Sequence, residues 1–205
     1  MNRWHGLYGI TDDTLTPDET IVTQVTQALQ AGVGIVQFRT KRNDSRQASM
    51  IAKKLREVTF EHRALFVIND DPILAHTVSA DGLHIGGDDM TFSQAREHFP
   101  KGVIGVSCYG SVQRAIRAYE EGAGYIALGS FFPSATKPQS AIVPFNVMKE
   151  VREHVPLPLC VIGGIQSHNI AKFAPYHPEM VACVQAIFDG DITLNVHNLL
   201  GKTQN

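Results

Sequence analysis

The chain has 205 residues, 43% of them hydrophobic and 19% charged, with a formal net charge of −2 at pH 7. That length suits one sizeable core, and the composition is that of an ordinary globular protein. The absence of a basic excess argues against a nucleic-acid partner held by its phosphate backbone. No apolar run approaches the roughly 18 residues of a membrane span. The opening Met1-Asn2-Arg3-Trp4-His5-Gly6 has neither an apolar targeting core nor a twin arginine, so a cytoplasmic chain without a membrane partner is expected. Cys108, Cys160 and Cys183 form no CxxC pair and read as small buried hydrophobes.

In chain order, short apolar runs alternate with helical periods. Leu7–Ile10 is the first strand, and Thr20–Ala31 follows with Ile21, Val25, Ala28 and Leu29 on one stripe. Ile35–Phe38 is the second strand. Ala48–Phe60 places Ile51, Ala52, Leu55 and Val58 together. Ala64–Ile68, Leu83–Ile85 and Val103–Val106 continue the strand series. The helical stretch Gln113–Glu121 precedes Tyr125–Leu128, and Val147–His154 precedes Leu159–Ile162. Met180–Val184 is the eighth strand. Near-continuous apolar runs of this kind suit parallel strands covered on both faces. Ala31-Gly32-Val33-Gly34-Ile35-Val36 is echoed by Glu121-Gly122-Ala123-Gly124-Tyr125-Ile126, and more loosely by Ala80-Asp81-Gly82-Leu83-His84-Ile85. Each reads as a helix end, a left-handed glycine cap and a strand. Eight βα units in 205 residues give about 26 residues each, near the lower limit for a (β/α)8 TIM barrel. The expectation is one α/β barrel domain over residues 1–205; an open doubly wound sheet is the alternative.

Polar residues gather just after the strands, where such barrels hold their chemistry. In an extended Gln37-Phe38-Arg39-Thr40-Lys41, residues 37, 39 and 41 share a side, converging one amide and two cations on an anion. Asn69-Asp70-Asp71 ends the third strand and Gly86-Gly87-Asp88-Asp89 the fourth. Asp70 and Asp89 are the preferred ligands for Mg2+, which takes one or two carboxylates plus phosphate oxygens and water. Asp71 and Asp88 equally suit helix caps. His84 alone reads as a satisfied, half-buried histidine. Ser107 offers a hydroxyl. The irregular stretch Phe131–Pro144 holds Ser134, Thr136 and Lys137, the lysine suiting either an anion clamp or a Schiff base. Gly163-Gly164 after the seventh strand lets backbone N–H groups approach a phosphate, and Ser167-His168-Asn169-Ile170 is expected to start a short helix that adds its dipole.

Together these pieces resemble the thiamine phosphate synthase (thiamine phosphate pyrophosphorylase) family from about Leu7 to Phe188. The matching segments are Tyr8-Gly9-Ile10-Thr11-Asp12, Gln37 to Lys41, Ile68-Asn69-Asp70, Asp81 to Gly86, Asp88-Asp89-Met90, Gly105-Val106-Ser107, Gly129 to Lys137 and Ile162 to Ile165. The resemblance implies a (β/α)8 barrel that joins hydroxymethylpyrimidine diphosphate to a thiazole phosphate and releases pyrophosphate with Mg2+. It implies pyrimidine contacts from Gln37 and His84, and diphosphate contacts from Arg39, Lys41, Asn69, Ser107 and Lys137. Asp70 and Asp89 would bind Mg2+. Ser134, Thr136, Gly164, Val184 and Gln185 would face the thiazole phosphate. Small-molecule substrates are the implied partners, and a homo-oligomer is compatible. Some positions depart from the family pattern: Gly87 replaces a common Gln, Asp71 a usual Arg, and Gln185 a usual Ser. Pro175-Tyr176-His177-Pro178-Glu179 lacks a Gly-Ala turn. A thiazole tautomerase on the same barrel, a Schiff-base aldolase using Lys137 and a non-catalytic phosphate-ligand-binding barrel are the alternatives.

Overall fold

A computed structural model of the chain describes residues 3–41, 44–86, 90–134 and 139–203. Eight parallel strands close in sequence order: β1 Gly6–Ile10, β2 Ile35–Phe38, β3 Leu65–Asn69, β4 Gly82–Ile85, β5 Val103–Tyr109, β6 Tyr125–Leu128, β7 Leu159–Val161 and β8 Met180–Cys183. The closing pair sets Tyr8 beside Ala182, and the chain is a (β/α)8 barrel rather than an open sheet. Among the described residues eight α-helices accompany the strands: α1 Ile21–Ala31, α2 Ser45–Glu61, α3 Pro72–Thr77, α4 Phe92–His98, α5 Val112–Glu121 and α6 Val147–His154 between strands, and α7 Gln185–Phe188 and α8 Ile192–Thr203 after β8. All eight expected strands are present, two with the expected bounds and the others with one or both ends moved by one to three residues. No helix among the described residues is long and apolar enough to cross a membrane.

The period-2 alternation of each strand divides the core in two. Outward residues such as Val36, Phe66, Leu83 and Ile126 pack under the helix ring. Inward residues Tyr8, Ile35, Leu65, Val67, Tyr125, Cys160 and Met180 fill the barrel, and Trp4 stacks on Tyr125 with ring centroids 5.0 Å apart. Gly105 has no side chain where the Tyr125 ring lies, which lets that large ring turn inward. The interior is therefore packed from below, and on β2, β3, β4 and β5 the next inward residue reaches the open end: Gln37, Asn69, His84 and Ser107.

The strand-start end is tied by two matching devices four βα units apart. Arg56 of α2 donates to the Asp81 carboxylate at 2.7 Å, and the same oxygen accepts the Phe66 N–H of β3 at 2.9 Å. Arg152 of α6 donates to Glu179 at 2.8 Å, and that oxygen accepts the Leu159 N–H of β7 at 2.7 Å. Partial burial would raise the Glu179 carboxyl, but the Arg152 and Leu159 donors and the Arg152 charge outweigh it and hold the group below its ordinary value. Left-handed Gly32 after α1 and Gly122 after α5, the repeat read in the sequence, stand four units apart too. Such contacts at the strand-start end serve stability and leave the opposite end for chemistry.

Candidate functional site

At the carboxyl ends of the strands lies a cavity of about 400 Å³. Its floor is a hydrogen-bonded file across the barrel. Gln37 donates from Nε2 to the Tyr8 hydroxyl at 2.8 Å; the Tyr8 and Tyr125 hydroxyls are 3.1 Å apart. The Tyr125 hydroxyl is 2.9 Å from His84 Nδ1, and His84 Nε2 is 2.9 Å from Ser107 Oγ. Burial pushes both phenols well above their ordinary range, so they stay protonated. Gln37, His84 and Ser107 line the cavity, whereas Tyr8 and Tyr125 lie beneath it at 1% and 0% exposure. The Ser107–His84 pair is not a nucleophile triad, because Nδ1 faces a phenol rather than an orienting carboxylate.

Arg39 and Asn69 line the same side. Strand β2 ends at Phe38, and Arg39 is fixed by Thr11, whose buried hydroxyl accepts the Arg39 N–H at 2.9 Å. The extended alternation expected through residue 41 does not continue. Lys41 is exposed outside the cavity lining, and its N–H donates to Asp13 at 2.8 Å. Asp70 sits at the rim with a left-handed φ of 58°. Its carboxylate accepts the Asn69 side-chain amide at 2.6 Å and the Gly86 N–H at 3.1 Å, while its own N–H donates to the His84 carbonyl at 2.9 Å. The β3 and β4 ends thus fix a carboxylate next to the cavity-lining Asn69. Asp71 caps α3 by accepting the Leu74 N–H at 2.8 Å, the capping alternative read for it. Asp88, Asp89, Thr136 and Lys137 lie outside the described residues.

Across the cavity, Gly163 and Gly164 have φ of 103° and 61°. A Cβ on Gly163 would strike Ser130, and one on Gly164 the Pro133 carbonyl, so both must be glycine for the β6 and β7 loops to close together. The short helix read as starting at Ser167–Ile170 is present as a 3-10 helix over Ile170–Tyr176, without a side-chain cap. The reason is that Asn169, buried at 6% exposure, is committed to the loop. Its side chain accepts the Gln166 N–H at 2.9 Å and donates to the Gly164 carbonyl at 3.0 Å. Gln166, His168 and Asn169 ahead of this helix line the cavity, and so does the start of α7, through Val184, Gln185 and Ala186. The Gln185 amide donates to Asp189 at 3.1 Å, so the side chain is held along its own short helix. Ser134 and Gly164 complete this wall.

The structure therefore brings together Gln37, Arg39, Asn69, His84, Ser107, Ser134, Gly164, Val184 and Gln185 around one cavity, with Asp70 behind Asn69. Tyr8, Tyr125, Thr11 and Asn169 were missed by the sequence reading. Tyr8 and Thr11 lay in a segment matching the family and Asn169 in the expected helix start, without a site role for any of them, and nothing local marked Tyr125 beyond its strand. Burial pushes the Cys183 thiol up to about 12, so the one cysteine lining the cavity supplies no thiolate nucleophile.

A family model described as thiamine monophosphate synthase matches residues 7–187. A thiamine-phosphate synthase of Wolinella succinogenes is 37% identical over 204 residues, covering 98% of this chain and 94% of that one. One from Acidithiobacillus ferrooxidans is 40% identical over 187 residues, covering 89% and 86%. A solved thiamine phosphate pyrophosphorylase from Pyrococcus furiosus superposes with a TM-score of 0.90 at 31% identity, covering 98% and 96%.

Proposed function

The chain belongs to the thiamine monophosphate synthase family, and we propose on that premise that its cavity joins hydroxymethylpyrimidine diphosphate to a thiazole phosphate, giving thiamine phosphate and pyrophosphate. One observation carries the reading to these residues. A single cavity sets the hydrogen-bonding floor of Gln37, His84 and Ser107 between Arg39 and Asn69 on one side and the glycine loop with the start of α7 on the other. That is room for a planar heterocycle flanked by two phosphate sites, the second at the β7–β8 end where barrels bind phosphate.

The reaction breaks the bond from the pyrimidine methylene carbon to the bridging oxygen, and the electron pair leaves with pyrophosphate. The electron-rich aminopyrimidine spreads the positive charge left on the methylene, and the thiazole nitrogen closes the new C–N bond with its lone pair. No protein nucleophile takes part. Gln37 and His84 orient the ring. Arg39, Asn69 and Ser107 bind the departing diphosphate in a site organised before the charge appears. Gly163, Gly164 and the N–H groups at the start of α7 hold the thiazole phosphate, with Ser134 beside them, so that nitrogen and carbon meet aligned. By resemblance, Lys41 and Lys137 would add positive charge at the diphosphate, and Thr136 would serve the thiazole side.

The donor set suits Mg2+. Asp70 offers hard carboxylate oxygens, held in place by the Asn69 amide and the Gly86 N–H, and Mg2+ commonly needs one or two carboxylates beside substrate oxygens. Asp70 would hold it, with Asp89 as second ligand by resemblance. When bound it supplies charge neutralisation to the leaving diphosphate. Charged phosphate substrates that do not cross membranes unaided support a cytoplasmic location, with the barrel over residues 1–205 as one working domain.

The test is to supply both substrates with Mg2+ and follow products. Equal amounts of thiamine phosphate and pyrophosphate are expected, with a loss of at least a hundredfold in Arg39→Ala, on the order of one lost charged contact in the transition state. Tight binding of the pyrimidine diphosphate without turnover would overturn the reading in favour of a binding barrel.

A further inference from the structure

We propose that Tyr8 and Tyr125 are positioning residues that lock the amide setting of Gln37 to the proton direction of Ser107, so that recognition of a ring amine and recognition of the diphosphate are one event. The proposal rests on the reading above for the identity of the substrate, but its core is a count of protons along the file.

Each phenol has one proton. Tyr8 accepts from Gln37 Nε2, and its other hydrogen-bond partner is the Tyr125 hydroxyl. Tyr8 is 1% exposed. Its proton must therefore go to Tyr125, since any other arrangement buries an unsatisfied donor, which natural structures avoid. Tyr125, having accepted, donates to His84 Nδ1. A neutral imidazole whose Nδ1 accepts carries its proton on Nε2. That proton goes to Ser107 Oγ, 2.9 Å away. The Ser107 hydroxyl then has one proton left, and it points to the cavity. The file thus runs in one sense from Gln37 to Ser107 and ends as a donor where an anion needs one. At its head, with Nε2 committed to Tyr8, Gln37 shows its carbonyl oxygen to the ligand, an acceptor that suits an amine.

Turning the Gln37 amide reverses every bond. Tyr8 then donates to Gln37, Tyr125 to Tyr8, His84 to Tyr125 from Nδ1, and Ser107 to His84. Ser107 meets the diphosphate with lone pairs only. A ring carrying an oxo group in place of the amine calls for the turned amide and so loses the Ser107 contact as well. Discrimination at one end of the substrate is amplified at the other, through two side chains that touch neither end.

Two measurements test this. The first is the nitrogen spectrum of histidine-labelled, ligand-free protein, with His84→Asn used to assign the signal among nine histidines. The Nε2–H tautomer of His84 is expected; Nδ1–H would overturn the proposal. Gln37→Glu, which can only accept from Tyr8, is expected to move His84 to Nδ1–H, and to do nothing once Tyr125→Phe cuts the file. A folded Gln37→Glu protein with an unchanged His84 signal would also overturn it. The second measurement needs no change at Gln37. The kcat/KM ratio of the amino to the oxo pyrimidine diphosphate is expected to fall about ten- to a hundredfold in Tyr8→Phe, the scale of one hydrogen bond to a charged group; an unchanged ratio would refute the coupling. If neither pyrimidine yields product in the parent, the functional reading has failed, while the tautomer still reports on the file.

Discussion

Replacing Gly163 with alanine tests the phosphate wall through its closest approach. The residue has φ of 103°, and its added Cβ would meet Ser130, lying 2.6 Å from that residue's Cβ where ordinary contact begins at 3.4 Å. Backbone strain at such a φ costs about 1–3 kcal/mol. Relieving the overlap by moving one loop off the other costs a further ~1–3 kcal/mol. The movement breaks alignment that the Phe132 N–H to Gly163 carbonyl bond, 3.0 Å, now maintains. Gly190 is the control, since its φ of 82° carries similar strain while nothing lies within 4 Å of its Cβ. For a chain of this size, each kcal/mol lowers the melting temperature by roughly 2–4 °C, so Gly163→Ala is expected to melt about 4–24 °C lower and Gly190→Ala only about 2–12 °C lower. A displacement near 1 Å in a binding loop can cost on the order of a hundredfold in rate. Steady-state kinetics should place the loss on the thiazole phosphate, with the pyrimidine diphosphate KM nearly unchanged. If Gly163→Ala and Gly190→Ala behave alike in both melting and kinetics, the close packing of the β6 and β7 loops does not build the wall.

Asp70→Asn keeps a residue that tolerates left-handed φ and removes the charge; the Mg2+ concentration giving half-maximal rate is expected to rise at least about tenfold, the effect of losing one of two carboxylates, and an unchanged Mg2+ requirement would remove Asp70 as a ligand. Gln185→Ser is expected to change the thiazole phosphate KM by about threefold or less and leave the pyrimidine KM alone, because the glutamine amide is already bonded to Asp189; a new activity in a previously inert protein would identify the parent as a binding barrel. Glu179 has a depressed carboxyl value when folded, so its contribution is fully present above the unfolded value near 4.5 and disappears as pH falls through the folded one. Glu179→Gln is therefore expected to lose about 1–2 kcal/mol at neutral pH, discounted for partial exposure, and to show a flatter acid limb below pH ~4.5 in denaturant titrations; an equal loss at pH 7 and pH 3 would contradict the ion-pair account.

The sequence legibility of the barrel had a physical basis. Parallel strands buried on both faces leave continuous apolar runs, and four such runs were bounded by helices of ten residues or so with clear stripes. Helices α3 and α4 were not read, because six- and seven-residue segments complete fewer than two turns and show no stripe. The β2–β5 side of the cavity was legible because Gln37, Asn69, His84 and Ser107 stand at strand ends, where chain order alone fixes which face they take. For Lys41 the alternation was carried past Phe38, where β2 ends, and the lysine is exposed there with its N–H bonded to Asp13. The thiazole side was harder. Beside the helix start at Ile170 it uses the start of α7, a four-residue helix too short to show a stripe. Tyr8 and Tyr125 were invisible as a pair, 117 residues apart in the chain, because only barrel closure brings their hydroxyls together.

The claim that this cavity cleaves carbon from oxygen, with diphosphate as the leaving group, is tested most directly by isotope position. Pyrimidine diphosphate labelled with oxygen-18 at the bridging atom is turned over with thiazole phosphate and Mg2+, and the label is located by mass spectrometry. The expected result is label wholly in pyrophosphate, with thiamine phosphate unlabelled. Label retained on a released hydroxymethylpyrimidine would mean that a phosphorus–oxygen bond had broken instead, and would contradict alkyl transfer by this barrel.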